Sequence, residues 1–189
     1  RSETEELVQL GLKFLGGKRE QRIADVGTGS GIIAITLALE TAGQNHIIAG
    51  TDISADALAI AKENSSNLGS EVAFKIDDLL ADTEGPFDLI IANLPYIGET
   101  EKNVMGASVL KHEPHLALFS AKNGYAHIER LLKQAQTKLS PKGAILLEIG
   151  YTQGKQGLSL CKQLFPKAKC KLIQDLAGHD RLLSVALSI

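Results

Sequence analysis

From Arg22 almost to its end, this chain alternates short apolar runs with helical segments, and that alternation narrows its fold more than any other feature. Ile23–Val26, Ile47–Asp52, Val72–Ile76 and Phe87–Ala92 read as strands, with Gly31–Thr41 and Ala55–Ser66 as helices among them. Apolar strands separated by helices belong to a parallel sheet covered on both faces. Further on, Ala126–Leu139 is amphipathic and is expected to stop at the turn Ser140-Pro141-Lys142-Gly143. Ala144–Ile149 then reads as strand and Gln153–Leu164 as helix. Lys169–Gln174 and Leu182–Leu187 close the chain with little between them, which predicts an antiparallel, hairpin-like edge. Before all of this, Ser2 and Glu5 have capping-box spacing and Leu7, Leu10 and Phe14 form an apolar stripe, so a helix opens the chain. The expected class is α/β: a mostly parallel seven-stranded sheet with an antiparallel last strand.

The 189 residues suit one domain with a substantial core. A net charge of −2 speaks against a nucleic-acid partner, which calls for a basic face. Cys161 and Cys170 are the only cysteines, and no Cys or His cluster has metal-ligand spacing, so neither a metal site nor a disulfide is expected. Both thiols read as buried and free, in keeping with a reducing compartment. No apolar run is long enough for a membrane span. The histidines at 112, 115, 127 and 179 are assigned no chemistry. The chain opens on Arg1 rather than Met, which reads as a fragment or a processed chain.

Two places carry chemistry. The first is Asp25-Val26-Gly27-Thr28-Gly29-Ser30-Gly31, after the first strand and into the first sheet-covering helix. Glycine lets a backbone turn tightly and approach a ligand, and the helix start offers free N–H groups. Dinucleotide sites carry G-x-G-x-x-G with pyrophosphate over the helix. The spacing here is G-x-G-x-G with Asp25 two residues before it, which suits a ligand with a carboxylate and a ribose but no pyrophosphate. S-adenosylmethionine fits that description. Asp52, followed by Ile53, ends the second strand, where a carboxylate accepts both ribose hydroxyls. The other role open to Asp52 is capping the next helix, but Ser54 is available for that. Asp77-Asp78-Leu79 end the third strand; one aspartate is expected to meet an adenine amino group, and Asp78 is chosen, with Leu79 against the ring.

The second place is Asn93-Leu94-Pro95-Tyr96, where an apolar strand stops at an amide and a proline. A residue before proline is pushed to extended backbone, which leaves the Leu94 carbonyl out of any helix. That carbonyl and the Asn93 side-chain oxygen can each accept one N–H of an acceptor nitrogen, with Tyr96 packing on the acceptor or walling the pocket. The competing role for the tetrapeptide is a plain strand end. Gly98–Ala117, without clear periodicity, reads as a loop over the site.

With these residues the chain resembles a class I S-adenosylmethionine-dependent methyltransferase of Rossmann-like fold. More narrowly it resembles the HemK/PrmC family, which methylates the glutamine of the Gly-Gly-Gln motif in peptide-chain release factors. Arg1-Ser2-Glu3-Thr4-Glu5 is similar to that family's R-P-E-T-E segment, with Ser2 in place of proline. Asp25–Gly31, Asp52 and Asp78-Leu79 match its cofactor motifs, and Glu113-Pro114 with Ala117-Leu118 its E-P-x-x-A-L segment. Glu148-Ile149-Gly150, Gln153-Gly154 and Asp175–Arg181 match its closing segments. The family tetrapeptide is N-P-P-Y, and Leu94 replaces its first proline.

The resemblance implies a catalytic domain over residues 1–189, with 1–20 as the helical lead-in from a helical substrate-binding domain. It implies Asn93, Leu94, Pro95 and Tyr96 as catalytic and substrate-binding residues. It implies Asp25, Gly27, Thr28, Gly29, Ser30, Gly31, Asp52, Ile53, Asp78, Leu79 and Asn93 as cofactor contacts. The product would be S-adenosyl-L-homocysteine and the partner a release factor, met by a monomer in the cytoplasm. Other readings are a ribosomal-RNA adenine methyltransferase, which shares the N-L-P-Y spelling, a nicotinamide-dependent oxidoreductase, and a non-catalytic binding module.

Overall fold

The computed structural model describes residues 2–94, 125–175 and 177–187, with side chains from Thr4 onward. The expected loop Gly98–Ala117, together with Pro95 and Tyr96, lies outside the described residues, as does the capping role expected of the Ser2 side chain. The elements run α1 (Ser2–Leu15), β1 (Arg22–Val26), α2 (Ile32–Glu40), β2 (Ile47–Asp52), α3 (Ala55–Leu68), β3 (Ala73–Ile76) and β4 (Phe87–Asn93). After the gap come α4 (Ala126–Ala135), β5 (Leu139–Glu148), α5 (Gly154–Leu164), β6 (Lys169–Gln174) and β7 (Asp180–Ala186).

One seven-stranded sheet results, in the order β3-β2-β1-β4-β5-β7-β6. The first five strands in chain order run parallel to one another, and β7 inserts antiparallel between β5 and β6. The expected antiparallel pair is therefore present, with β7 inside the sheet and β6 at its edge.

Period-two alternation divides the core. Ile23, Leu89, Ile91, Ala144 and Leu146 pack on one face beneath Leu7, Val8 and Leu15 of α1 and Ile33, Ala34 and Leu37 of α2. Ala24, Val26, Ile90, Ala92, Ile145 and Leu147 pack on the other, against Ile128, Leu131, Leu132 and Ala135 of α4, Cys161 of α5 and Phe165 just after it. The four α4 positions recur at helical spacing, which is why that face seats on the sheet. Each fully buried Leu or Ile contributes about 1.5–3 kcal/mol. Cys161 is buried as expected, whereas Cys170, on the edge strand, is only partly covered.

The sequence reading erred before β5. The amphipathic helix ends at Ala135, four residues short of the expected Leu139, and Ser140-Pro141-Lys142-Gly143 lies inside a ten-residue strand, not in a turn. Phe87 pairs with Leu139 but Leu89 pairs with Ala144, so β5 bulges between those two points. The bulge accommodates the proline within the strand. Asp88 secures it: Oδ1 accepts from the Ser140 hydroxyl at 2.7 Å and Oδ2 from the Arg22 amide at 2.9 Å.

Gly143 is the tightest point of this bulge. A Cβ there would lie 2.8 Å from Leu139 side-chain carbons and 2.9 Å from the Phe87 carbonyl oxygen, which is fixed backbone. Gly143→Ala should therefore destabilise the protein by about 1–3 kcal/mol, the range for overpacking. Urea unfolding checks this; an unchanged midpoint would mean the bulge is slack.

Candidate active site

The order of strands reverses beside β1, whose neighbours are β2 on one side and β4 on the other. In open α/β sheets such a switch point leaves a crevice beyond the carboxyl ends of the strands. Val26 pairs with Thr51 and with Ala92, so the glycine loop, Asp52 and Asn93 leave the sheet side by side. Parallel register brings together residues far apart in sequence.

Gly27, Gly29 and Gly31 all have left-handed backbone, with φ of 69°, 55° and 83°. A side chain would strain each turn by about 1 kcal/mol or more. At Gly27 it would also meet the Leu94 side chain at 2.7 Å, whereas the space over Gly29 is open. Leu94 is buried, so its side chain packs the base of the loop while its carbonyl belongs to the strand end. Thr28 donates its amide to the Thr51 carbonyl at 2.9 Å, and the exposed Ser30 offers its carbonyl to the Asn64 side chain at 3.0 Å.

Asp25 holds this loop from below. It is fully buried, and its Oδ2 accepts from the Thr28 hydroxyl at 2.5 Å and from the Ala34 amide at 3.1 Å. The second bond satisfies one free amide in the first turn of α2, a job its glycine cap Gly31 has no side chain to do. The other oxygen, Oδ1, is buried without a partner among the described residues. Burial pushes the carboxyl up to about 6, the Thr28 and Ala34 bonds pull it down, and the nearby Asp52 charge pushes it up.

Asp52 closes the loop from the side. Its Oδ2 accepts from the Gly29 amide at 2.9 Å and its Oδ1 from the Ser54 amide at 2.9 Å. Ser54 is the cap of α3, accepting from the Ala57 amide, as expected. Ile53 is 72% exposed beside it.

Of the paired aspartates, Asp77 is turned inward, accepting from the Thr83 hydroxyl and the Asp82 amide. Asp78 is exposed and paired at 2.5 Å with Arg130 of α4, a partner the sequence did not suggest. Exposed pairs of this kind contribute about 0–1 kcal/mol and open readily. Leu79 is buried, with φ of 62°, and its carbonyl accepts from the Thr51 hydroxyl at 2.8 Å.

Asn93 has a neighbour that sequence reasoning missed. Its Nδ2 donates to the Thr4 hydroxyl at 3.0 Å, and that hydroxyl donates to Glu148 at 3.2 Å. The Asn93 side-chain oxygen has no partner among the described residues. No group of three or more His, Cys, Asp or Glu fit for a metal occurs among the described residues, nor any helix long and apolar enough to cross a membrane.

Residues 7–118 match the family model described as the methyltransferase small domain. The chain belongs to that family. This methyltransferase domain is 40% identical over 185 residues to a release factor glutamine methyltransferase of Lactococcus lactis, covering 98% of this chain and 67% of that protein. It is 40% identical over 183 residues to the protein of the same name from Enterococcus faecalis, covering 96% and 65%. The chain thus spans about two thirds of the length of the curated relatives it matches. Among solved structures, the ribosomal protein L11 methylase of Lactobacillus delbrueckii superposes with a TM-score of 0.70 at 26% identity, covering all of this chain and 80% of that one. A Thermus thermophilus 16S rRNA N2 G1207 methyltransferase, solved with AdoMet and guanosine, gives 0.67 at 16% identity, over all of this chain and 43% of that one. That second likeness shows the fold alone.

The methyltransferase domain should carry a pH signature of Asp25. Unfolded, an aspartate titrates near 3.8; folded, Asp25 keeps its proton to about 6. Its contribution to stability is therefore full below about 3.8 and is lost as pH rises through about 6. Asp25→Asn should gain stability relative to wild type across that window, by about 3 kcal/mol in total, and then level off. Urea titrations through the window measure the difference; a pH-independent gap would contradict it.

Proposed function

We propose that the full-length protein containing this chain transfers a methyl group from S-adenosyl-L-methionine to the glutamine side-chain amide in the Gly-Gly-Gln motif of peptide-chain release factors. The observation that carries this reading is the Asn93-Leu94 strand end standing beside the glycine loop. Relatives named release factor glutamine methyltransferase, alike over nearly the whole chain, support it.

The residues present fit the cofactor. Open space lies over Gly29, and the unpartnered Asp25 oxygen beneath the loop suits a donor such as an ammonium group or a bridging water. Asp52 keeps lone pairs beyond its two backbone bonds for ribose hydroxyls. Asp78 and Ile53 are exposed and would be available to an adenine. When bound, the cofactor supplies a methyl carbon made electrophilic by the attached sulfonium.

This chain's own part is to hold the acceptor. Asn93 Oδ1 and the Leu94 carbonyl each accept one N–H of the glutamine carboxamide, which fixes the nitrogen and aims its lone pair. Positioning of this kind lowers barriers by up to about 7–11 kcal/mol in favourable cases. No strong base is required, since the nitrogen can release its proton after methylation. Tyr96, with Pro95, would wall the acceptor. A release factor as substrate also agrees with the net charge of −2 better than ribosomal RNA does.

Incubating the full-length protein with a recombinant release factor and labelled methyl donor, followed by mass spectrometry, tests the reading. One methyl on the Gly-Gly-Gln glutamine is expected, and Asn93→Ala should slow its appearance at least ~100-fold while the fold persists. Label appearing in ribosomal RNA and not in the release factor would overturn it.

A further inference from the structure

We propose that Thr4 and Glu148 form a positioning relay that decides which end of the Asn93 carboxamide faces the acceptor; this rests on the reading of Asn93 given above. Three elements meet here. Asn93 ends β4, and Glu148 ends β5 directly opposite it in register. Thr4 arrives on the first turn of α1, which is seated on the sheet by buried Leu7, Val8 and Leu15. Thr4 stands 89 residues from Asn93 and 144 from Glu148 in sequence.

The relay has a direction imposed by its far end. An ionised carboxylate only accepts, a hydroxyl does both, and a carboxamide has one end of each kind. Glu148, at 2% exposure, takes the Thr4 proton at 3.2 Å. The Thr4 oxygen is then left as an acceptor toward Asn93, and only an N–H can satisfy it. Nδ2 therefore turns to Thr4, at 3.0 Å, and Oδ1 is released from internal bonding. The reversed amide would set two oxygens against each other over a proton already committed to Glu148. Which atom of an Asn is nitrogen is ordinarily ambiguous in a structure; in the relay it is the ionised form of Glu148 that assigns it.

The consequence is functional. An acceptor nitrogen bearing two hydrogens needs oxygens to hold it, and a reversed Asn93 would present it with another donor. Thr4 and Glu148 need not touch the acceptor to matter; they keep Asn93 in its accepting orientation. They also connect α1 to the strand end proposed to hold the acceptor.

The test uses the full-length protein. Thr4→Val keeps the shape and removes the hydroxyl, and should lower kcat roughly 10- to 100-fold with cofactor affinity within about two-fold of wild type. Thr4→Ser restores the hydroxyl and should recover most of the rate. Glu148→Gln can donate to Thr4 and so reverse the chain, and should lose at least as much. Combined with Thr4→Val it should add little, because a broken relay is broken once. Melting curves establish that each variant is folded. Full activity in Thr4→Val, equal losses in Thr4→Val and Thr4→Ser, or additive losses in the double variant would overturn the relay. If the wild-type protein does not methylate release factors, it is the functional reading that fails. The relay is then judged from exchange protection of the Asn93 side-chain amide by NMR, expected to persist in Thr4→Ser and vanish in Thr4→Val; protection unchanged in Thr4→Val would refute it.

Discussion

The carboxylate of Asp25 lies fully buried at the carboxyl end of β1, where it binds both the Thr28 hydroxyl and the Ala34 amide. Those two bonds reach in different directions, one to the glycine loop and one to the start of α2. Together they tie the loop and the start of the helix to the end of β1. Burying that group is costly, and burial is the largest cause of its raised proton affinity. An oxygen left unpartnered in such a place is unusual in a folded interior.

Around that anchor the site is assembled by register more than by local conformation. Asp52 spans from the Gly29 amide to the Ser54 amide, so the end of β2 braces the loop and the start of α3 at once. Leu94 fills the space a Gly27 side chain would need, which locks the β4 end against the same loop. The Asn93, Thr4 and Glu148 bonds then add α1 and β5. Four strands and three helices therefore meet in one rim, and a small shift in any of them would be felt at Asn93.

Much of this was legible in the sequence because it is written locally. Left-handed backbone at Gly27, Gly29 and Gly31 demands glycine, so the loop announces itself. The strands from β1 to β4 are short apolar runs, and each was placed within a residue or so. The Ser140-Pro141-Lys142-Gly143 error has a physical cause. Those residues have turn chemistry, and only pairing with Phe87 and Leu89 and the Asp88 bonds make them strand. What was not legible is long-range: the Asp78–Arg130 pair and the Thr4 link depend on how elements stack, which no spacing encodes. Choosing between Asp77 and Asp78 is an intermediate case, since only the fold shows which carboxylate turns inward.

The central claim is that two oxygens at the end of β4 grip a planar amide beside a cofactor resting on the glycine loop. A crystal structure of the full-length protein with S-adenosyl-L-homocysteine and a Gly-Gly-Gln peptide measures this directly. The account predicts Asn93 Oδ1 and the Leu94 carbonyl oxygen each within about 2.7–3.2 Å of the glutamine nitrogen, the range of a hydrogen bond. An Asn93 amide turned away from the glutamine, or a cofactor bound elsewhere than over Gly29, would contradict it.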